Sequence, residues 1–115
     1  MNEQRRQPRV PIHIYMNKYV DGVPYMTRSA DISCNGIGLA HLLEPKFDKK
    51  HVGLQFQLPG SEEIIYAEGE IARDWIQSGR SIPGSYIRFT FLTEQHRKLV
   101  EAYVTHHISQ DEDNA

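Results

Sequence analysis

Two short segments near the start of the chain carry the side chains best suited to bind a ligand. Three arginines fall within five residues, as Arg5, Arg6 and Arg9. The segment from Asp31 to Gly36 places a carboxylate, a hydroxyl and a glycine between two apolar stretches. A guanidinium group is a planar fork of donors that matches phosphate oxygens and the O6/N7 edge of guanine, and a carboxylate accepts from the donor edge of that base. Together the two segments predict a site for a guanine nucleotide that carries phosphates.

The bulk properties are those of one ordinary domain. At 115 residues the chain is long enough to form a core without metals or disulfides. The formal net charge of −2 argues against general binding to nucleic acid or to an anionic membrane. Cys34 is the only cysteine, which excludes an intrachain disulfide. Because no apolar run approaches a membrane span and the N-terminus does not resemble a signal peptide, we expect a cytoplasmic protein.

Alternating apolar residues predict strands along most of the chain. We predict strands from Val10, at Val23–Ile32, from Gly36, at Val52–Leu58, at Ile64–Trp75 and at Tyr86–Leu92. Asp21-Gly22 is a strong signal for a hairpin turn. In the last strand, Ile87, Phe89 and Phe91 are expected to share one face.

One helix is predicted after the strands. Thr93 is placed to cap it, and Glu94 lies in the first turn, where a carboxylate favours the helix dipole. An apolar stripe continues to about Ile108, and the acidic residues from Gln110 are expected to be disordered. The predicted fold class is mainly β, a small six-stranded antiparallel β-barrel with a C-terminal α-helix.

The motifs, in this order and spacing, resemble the PilZ domain, a bacterial receptor module for cyclic di-GMP. The resemblance covers nearly the whole chain and rests on Arg5-x-x-x-Arg9 joined to Asp31-x-Ser33-x-x-Gly36. The arginine pair alone is a weak signal, because such pairs are common by chance. The expected organisation is a flexible ligand-binding arm at 1–9, a PilZ-like barrel plus helix at 10–109, and a disordered acidic tail at 110–115.

The resemblance implies a role for each matching residue. Arg5 and Arg9 would bind the phosphates and guanine edges of cyclic di-GMP, and Arg6 would add a further contact. Asp31 would accept a hydrogen bond from a guanine. Ser33 would contact a phosphate or a base.

Three further positions bear on the same site. Gly36 would allow close approach of the backbone to the ligand. Trp75 resembles an aromatic residue with which some members line the ligand. The last strand departs from the usual glycine-containing pattern, because no glycine lies between Tyr86 and Phe89. This departure leaves the rim of the site near Tyr86 undefined.

Each motif also has a plainer interpretation. The arginines can form a solvated basic terminus, and Asp31 and Ser33 can form an ordinary turn in which both side chains bond to local backbone. Gly36 can serve only to adopt a positive φ. Trp75 is more often a packing residue than a ligand contact.

No catalytic or metal-binding set emerges from the sequence. The six histidines lack paired ligand spacing, and His96 and His107 would lie ~16 Å apart along one helix. Cys34 is expected to be a passive small residue. Since no nucleophile–base–acid set and no glycine-rich phosphate loop is found, we predict that the protein is not an enzyme and needs no cofactor.

The resemblance therefore implies a cyclic di-GMP receptor that changes conformation on binding and signals to a protein partner, in a process such as motility or biofilm formation. One alternative is a ligand-independent protein-interaction module of the same fold. Another is an oligonucleotide-binding barrel. We disfavour the latter, and expect no DNA, RNA or membrane insertion, because the positive charge is concentrated in one arm.

Overall fold

The computed structural model describes residues 8–40, 50–76 and 83–114. Seven strands precede one helix in these residues, which is the mainly β class that the sequence predicts. The elements are β1 (Val10–Pro11), β2 (Tyr15–Val20), β3 (Val23–Ile32), β4 (Gly36–Ala40), β5 (His51–Gln57), β6 (Ile64–Ile76), β7 (Pro83–Leu92) and α1 (Glu94–Asn114).

Six of the strands form a closed antiparallel barrel. Their order is β3-β2-β5-β6-β7-β4, and β4 pairs back to β3. Strand β1 is an additional short strand beside the end of β3, with Val10 opposite Ile32 and Pro11 opposite Asp31. The predicted six-stranded barrel with a C-terminal helix is confirmed. Closure matters because it brings β1, the β3–β4 connection and β7 to one side of the molecule.

The first hairpin forms where the sequence predicts it. Asp21 and Gly22 have φ values of 53° and 82°, and Val20 pairs with Val23 across the turn. Two successive positive φ angles suit the right-handed twist of a tight hairpin. This turn returns the chain to the motif on β3.

The barrel interior is filled by branched aliphatic side chains from every principal strand. The largest fully buried ones are Ile12, Ile32, Ile37, Leu39, Leu54, Ile65 and Ile87. The helix adds Val100 and Val104, which are one turn apart and buried against the same core. The predicted cap is confirmed, because the Thr93 hydroxyl accepts from the His96 N–H at 3.2 Å.

Strand β7 departs from strict alternation, and the predicted facing of Phe91 is wrong. The β6–β7 register shifts so that Glu68 faces Phe91 while its neighbour Gly69 faces Phe89. The extra residue on β7 is a bulge, which reverses the facing of the residues beyond it. Phe91 is consequently 48% exposed, and Leu92 takes the buried position.

The helix extends beyond its predicted end. It continues to Asn114, past the predicted end of its apolar stripe at about Ile108. Extending a formed helix adds one hydrogen bond per residue without the cost of nucleation, so it can outlast its apolar stripe. Strand β7 starts at Pro83, three residues before the predicted start at Tyr86. Residues 77–82 lie outside the described residues.

Candidate functional site

The Asp31–Gly36 segment forms the tight connection between β3 and β4. The Ser33 N–H donates to the Gly36 carbonyl at 2.8 Å and closes the turn. The Ser33 hydroxyl accepts from the Asn35 N–H at 3.2 Å. Ser33 is completely buried. The plainer interpretation as a turn is thus correct for Ser33, and this turn holds its hydroxyl at a defined position.

A bulge in β3 orients Asp31. Ser29 pairs with Leu39 and Asp31 with Gly38, so Ala30 is an extra residue between them. Ser29 and Leu39 both point into the core, where they are buried. Strict alternation would send Asp31 inward as well, and the extra residue places it on the outer face instead.

The Asp31 carboxylate has an unused acceptor. Its Oδ1 is buried and has no hydrogen-bond partner among the residues that the structure describes. An unpaired buried oxygen costs about 1–3 kcal/mol of desolvation, more when it is charged. Asp31 is therefore poised to accept a hydrogen bond from an added group.

Tyr86 of β7 lies against the turn. Its hydroxyl is 3.1 Å from the Ser33 hydroxyl. A Cβ built on Gly36 would lie 2.5 Å from the Tyr86 hydroxyl oxygen and would also meet the Ile87 carbonyl. Gly36 does not have a positive φ, so that interpretation is wrong. The residue must be glycine because β7 and the tyrosine approach its backbone closely.

Arg9 is the described member of the arginine cluster, and it reaches the same tyrosine. Its guanidinium carbon lies 4.6 Å from the centre of the Tyr86 ring, a cation–π arrangement. Arg9 is itself exposed, so its N–H donors face solvent. Tyr86 therefore contacts both Arg9 and Ser33, and so links the arginine segment to the Asp31–Gly36 segment.

Sequence reasoning did not include Tyr86 among the site residues. The only signal was the missing glycine in the last strand, which marked the rim near Tyr86. The tyrosine belongs to the site through the pairing of Gly38 with both Asp31 and Tyr86. Asp31 and Tyr86 therefore lie on either side of Gly38, which has no side chain. The sequence did not reveal this, because pairings between distant strands are not visible in local sequence.

The remaining predicted residues divide into two groups. The backbone of Trp75 lies on β6 opposite Gly84, two cross-strand pairs along from Tyr86. Trp75 is thus near the site in the register of the sheet. Arg5 and Arg6 lie outside the described residues.

Two residues next to the site, Arg88 and Cys34, add no net charge to it. Arg88, opposite Gly36 on β7, donates to Glu70 at 2.7 Å, so its charge is compensated at the surface. Cys34, inside the turn, packs against the core. Burial, and secondarily the negative charge of Glu101, raises the pKa of the Cys34 thiol. The thiol is therefore protonated at neutral pH, in agreement with a passive role.

The described side chains offer a cation over an aromatic ring, a buried hydroxyl and a buried free carboxylate oxygen. Such a set can bind a planar anionic molecule. Within residues 8–40, 50–76 and 83–114, no three His, Cys, Asp or Glu side chains gather at a spacing that would hold a metal ion. In the same part of the chain, no helix combines the length and apolar character needed to cross a membrane.

Comparison with known proteins gives one family and several similar structures. The model of the PilZ domain family matches residues 3–106. The structure of the Bacillus subtilis inhibitor of motility, MotI/DgrA, has a TM-score of 0.78 at 15% identity, over 95% of this chain and 52% of that one. The PilZ domain of Escherichia coli YcgR with c-di-GMP gives 0.65 at 13%, over 96% of both chains.

A third similar structure is Borreliella burgdorferi PlzA in complex with c-di-GMP. Its TM-score is 0.65 at 9% identity, over 95% of this chain and 55% of that one. At these identities the structures show a shared fold alone. The chain spans about half the length of MotI/DgrA and of PlzA. A sequence search among curated proteins gave no match.

Proposed function

The chain belongs to the PilZ domain family, and from this premise we propose that it is a receptor for cyclic di-GMP. One observation carries the proposal: Arg9 lies over the Tyr86 ring, and Asp31, which like Tyr86 pairs with Gly38, has a buried Oδ1 without a hydrogen-bond partner among the described residues. We refer to the place between these residues as the proposed ligand cleft. Two of the similar structures, from YcgR and PlzA, were solved with this ligand. The proposal therefore joins a family relationship to donors and an acceptor in one cleft.

The chemistry of cyclic di-GMP suits these groups. The ligand carries two phosphates and two guanines, so it needs cations, stacking planes and acceptors within one compact site. Arg9 supplies both a positive charge and a planar face. Asp31 accepts from a guanine N–H, and the Ser33 hydroxyl bonds to a phosphate or base oxygen. The Arg9 contact is charge-assisted, and the Asp31 contact gives a buried acceptor the donor that it lacks. Both contacts therefore contribute substantially to affinity.

Arg5 and Arg6 complete the site in this proposal. They precede Arg9 by only a few residues, and β1 ties the chain at Val10 beside the end of β3. The chain therefore enters β1 beside Ile32 and Asp31. In this proposal Gly36 allows close approach of the ligand to the backbone, and Trp75 contributes an aromatic contact.

Signalling follows from the arm in the same proposal. Cyclic di-GMP orders residues 1–9 over the barrel, and the altered surface then engages a protein partner in the cytoplasm. No chemical step is required of the protein. The processes served are those of bacterial motility or biofilm formation, and the MotI/DgrA structure, named for inhibition of motility, supports the first.

Titration calorimetry with cyclic di-GMP tests the proposal. We expect binding by the natural chain, and a loss of at least ~10-fold in affinity for Arg9→Ala and for Asp31→Ala, because each removes a charge-assisted contact. Arg97→Ala is the matched control, since Arg97 is an exposed arginine on α1. GMP serves as the nucleotide control.

The absence of binding by the natural chain at ~50 µM ligand, where a micromolar Kd is readily measured, would overturn the receptor proposal. Unchanged affinity in both Arg9→Ala and Asp31→Ala would overturn the assignment of the site. The first result would favour the ligand-independent interaction module.

Trypsin cleavage tests the arm. If residues 1–9 fold over the ligand, saturating cyclic di-GMP should slow cleavage after Arg5 and Arg6, while the rate at which trypsin cleaves an unrelated peptide at the same ligand concentration serves as the reference. Equal cleavage rates with and without ligand would contradict ordering of the arm.

A further inference from the structure

Tyr86 makes contacts that a ligand at this site would also need. The Ser33 hydroxyl is within 3.1 Å of the Tyr86 hydroxyl and accepts from the Asn35 N–H at 3.2 Å, and it makes a longer contact of 3.5 Å to the Gly36 carbonyl. Ser33 has no exposed surface. Its hydroxyl is therefore occupied and covered in this structure.

The tyrosine also fills the space that the glycine leaves. A Cβ on Gly36 would collide with the Tyr86 hydroxyl oxygen at 2.5 Å, so that oxygen sits directly over the glycine backbone. At the same time the Tyr86 ring lies beneath the Arg9 guanidinium at 4.6 Å. A bound guanine nucleotide would make the same two kinds of contact. Its base would lie under the guanidinium, and one of its oxygens would lie beside Ser33.

Only one of the described motif residues is left without such a contact. Asp31 Oδ1 is buried and has no hydrogen-bond partner among the described residues. Tyr86 contacts Arg9 through its ring and Ser33 through its hydroxyl, and it covers the backbone of Gly36. It does not supply a donor to Asp31 Oδ1, and the ligand would supply that donor. The cleft thus holds an incomplete internal substitute for the ligand.

We propose that Tyr86 is an internal competitor for the ligand cleft. Cyclic di-GMP binds by displacing the Tyr86 side chain, which frees Ser33 and the backbone at Gly36. Rotation about the side-chain bonds is enough, because Tyr86 is only half-buried. The apparent Kd then equals the intrinsic Kd divided by the fraction of molecules with an open cleft, so Tyr86 raises the ligand concentration at which the protein responds. This inference rests on the proposed function.

Calorimetry with cyclic di-GMP on two variants tests this competition. Tyr86→Phe removes the bond to Ser33 but keeps the ring, so affinity should rise ~5-fold. Tyr86→Ala removes the ring and the hydroxyl and should raise affinity at least ~10-fold. Tyr15→Phe is the control, because Tyr15 is an exposed tyrosine on β2, and its affinity should equal that of the natural chain. Circular dichroism establishes that each variant is folded.

The outcomes separate this inference from the proposed function. Tighter binding by both variants supports competition, and it does so even if the natural chain itself fails to bind, a result that overturns only the receptor proposal. Binding by the natural chain with equal or weaker binding by both variants overturns competition and leaves the receptor proposal intact. Failure of all three proteins to bind overturns both.

Discussion

Gly36 and Tyr86 are complementary at the residue scale, since the tyrosine occupies the volume that any larger residue at position 36 would need. The same pair brings β4 and β7 close together at the site. The demand for glycine here is steric, and it differs from that at Gly22, where the backbone has a φ of 82°.

Replacing Gly36 should destabilise the fold. In Gly36→Ala the new methyl group meets the backbone carbonyl of Ile87 as well as Tyr86, and backbone cannot move aside as a side chain can. We expect a loss of ~1–3 kcal/mol in the free energy of unfolding, measured by urea denaturation. Gly53→Ala is the matched control, because its Cβ would meet the end of the Tyr66 side chain at 3.2 Å. Equal losses in the two variants would contradict this account.

Cys34 should react slowly with alkylating reagents. Burial raises the pKa of its thiol, and Glu101 raises it further, so less thiolate is present at neutral pH than in a free cysteine. The folded state holds this proton more tightly, and the associated stability is present at neutral pH and lost as pH rises through the folded pKa.

The rate of iodoacetamide modification, followed as a function of pH, measures the titration of the Cys34 thiol. The midpoint should lie above that of an unfolded control in urea, and Glu101→Gln should lower it. A midpoint below that of the unfolded chain would show an activated thiol and contradict the passive role.

The junction of β1 and β2 determines, at the element scale, where the N-terminal segment enters the barrel. The Ser29 hydroxyl donates to the Ile12 carbonyl at 2.5 Å and accepts from the Ile14 N–H at 3.0 Å. One buried side chain thus satisfies two backbone groups in the irregular stretch between the strands. This contact fixes the segment that follows β1, and Arg9 directly precedes β1.

Ser29→Ala should therefore loosen the junction. Two backbone groups lose their partner in a buried position, and we expect a cost of ~1–3 kcal/mol in urea denaturation. Ser61→Ala is the matched control, because Ser61 accepts from the Glu63 N–H in a surface turn, where water can replace it. A cost for Ser29→Ala no greater than for Ser61→Ala would show that the junction does not depend on this hydroxyl.

Elements were predicted well where their signals are local. The Asp21-Gly22 hairpin and the Thr93 cap depend on residues within a few positions, and both are present. Phe91 was misplaced because the bulge on β7 is defined by pairing with β6, far away in sequence. Periodicity assumes uninterrupted alternation, so it cannot register an extra residue.

At the scale of the whole molecule, the proposed ligand cleft lies across β3, β4 and β7, whose pairing closes the barrel. Binding at this closure should stabilise the fold as a unit, because a ligand that binds only the folded state adds RT ln(1 + [L]/Kd) to the free energy of unfolding.

Cyclic di-GMP at 100 times its Kd should therefore raise the stability by ~2.7 kcal/mol and increase Tm by several degrees. Thermal unfolding followed by circular dichroism measures the shift. Asp31→Ala at the same ligand concentration should show a smaller one, and GMP should have little effect. A Tm that does not change with ligand would contradict specific binding to the folded barrel.

The sequence by itself determined the strand and helix content, the first hairpin, the helix cap and the two motifs, because these depend on residue types at short separations. Only the tertiary structure decided which residues meet at the cleft. Tyr86 is 53 positions from Ser33, and its place there depends on barrel closure. Asp31 faces outward only because Ala30 is an extra residue in β3. Register and bulges are set by packing over the whole barrel, and no local pattern specifies them.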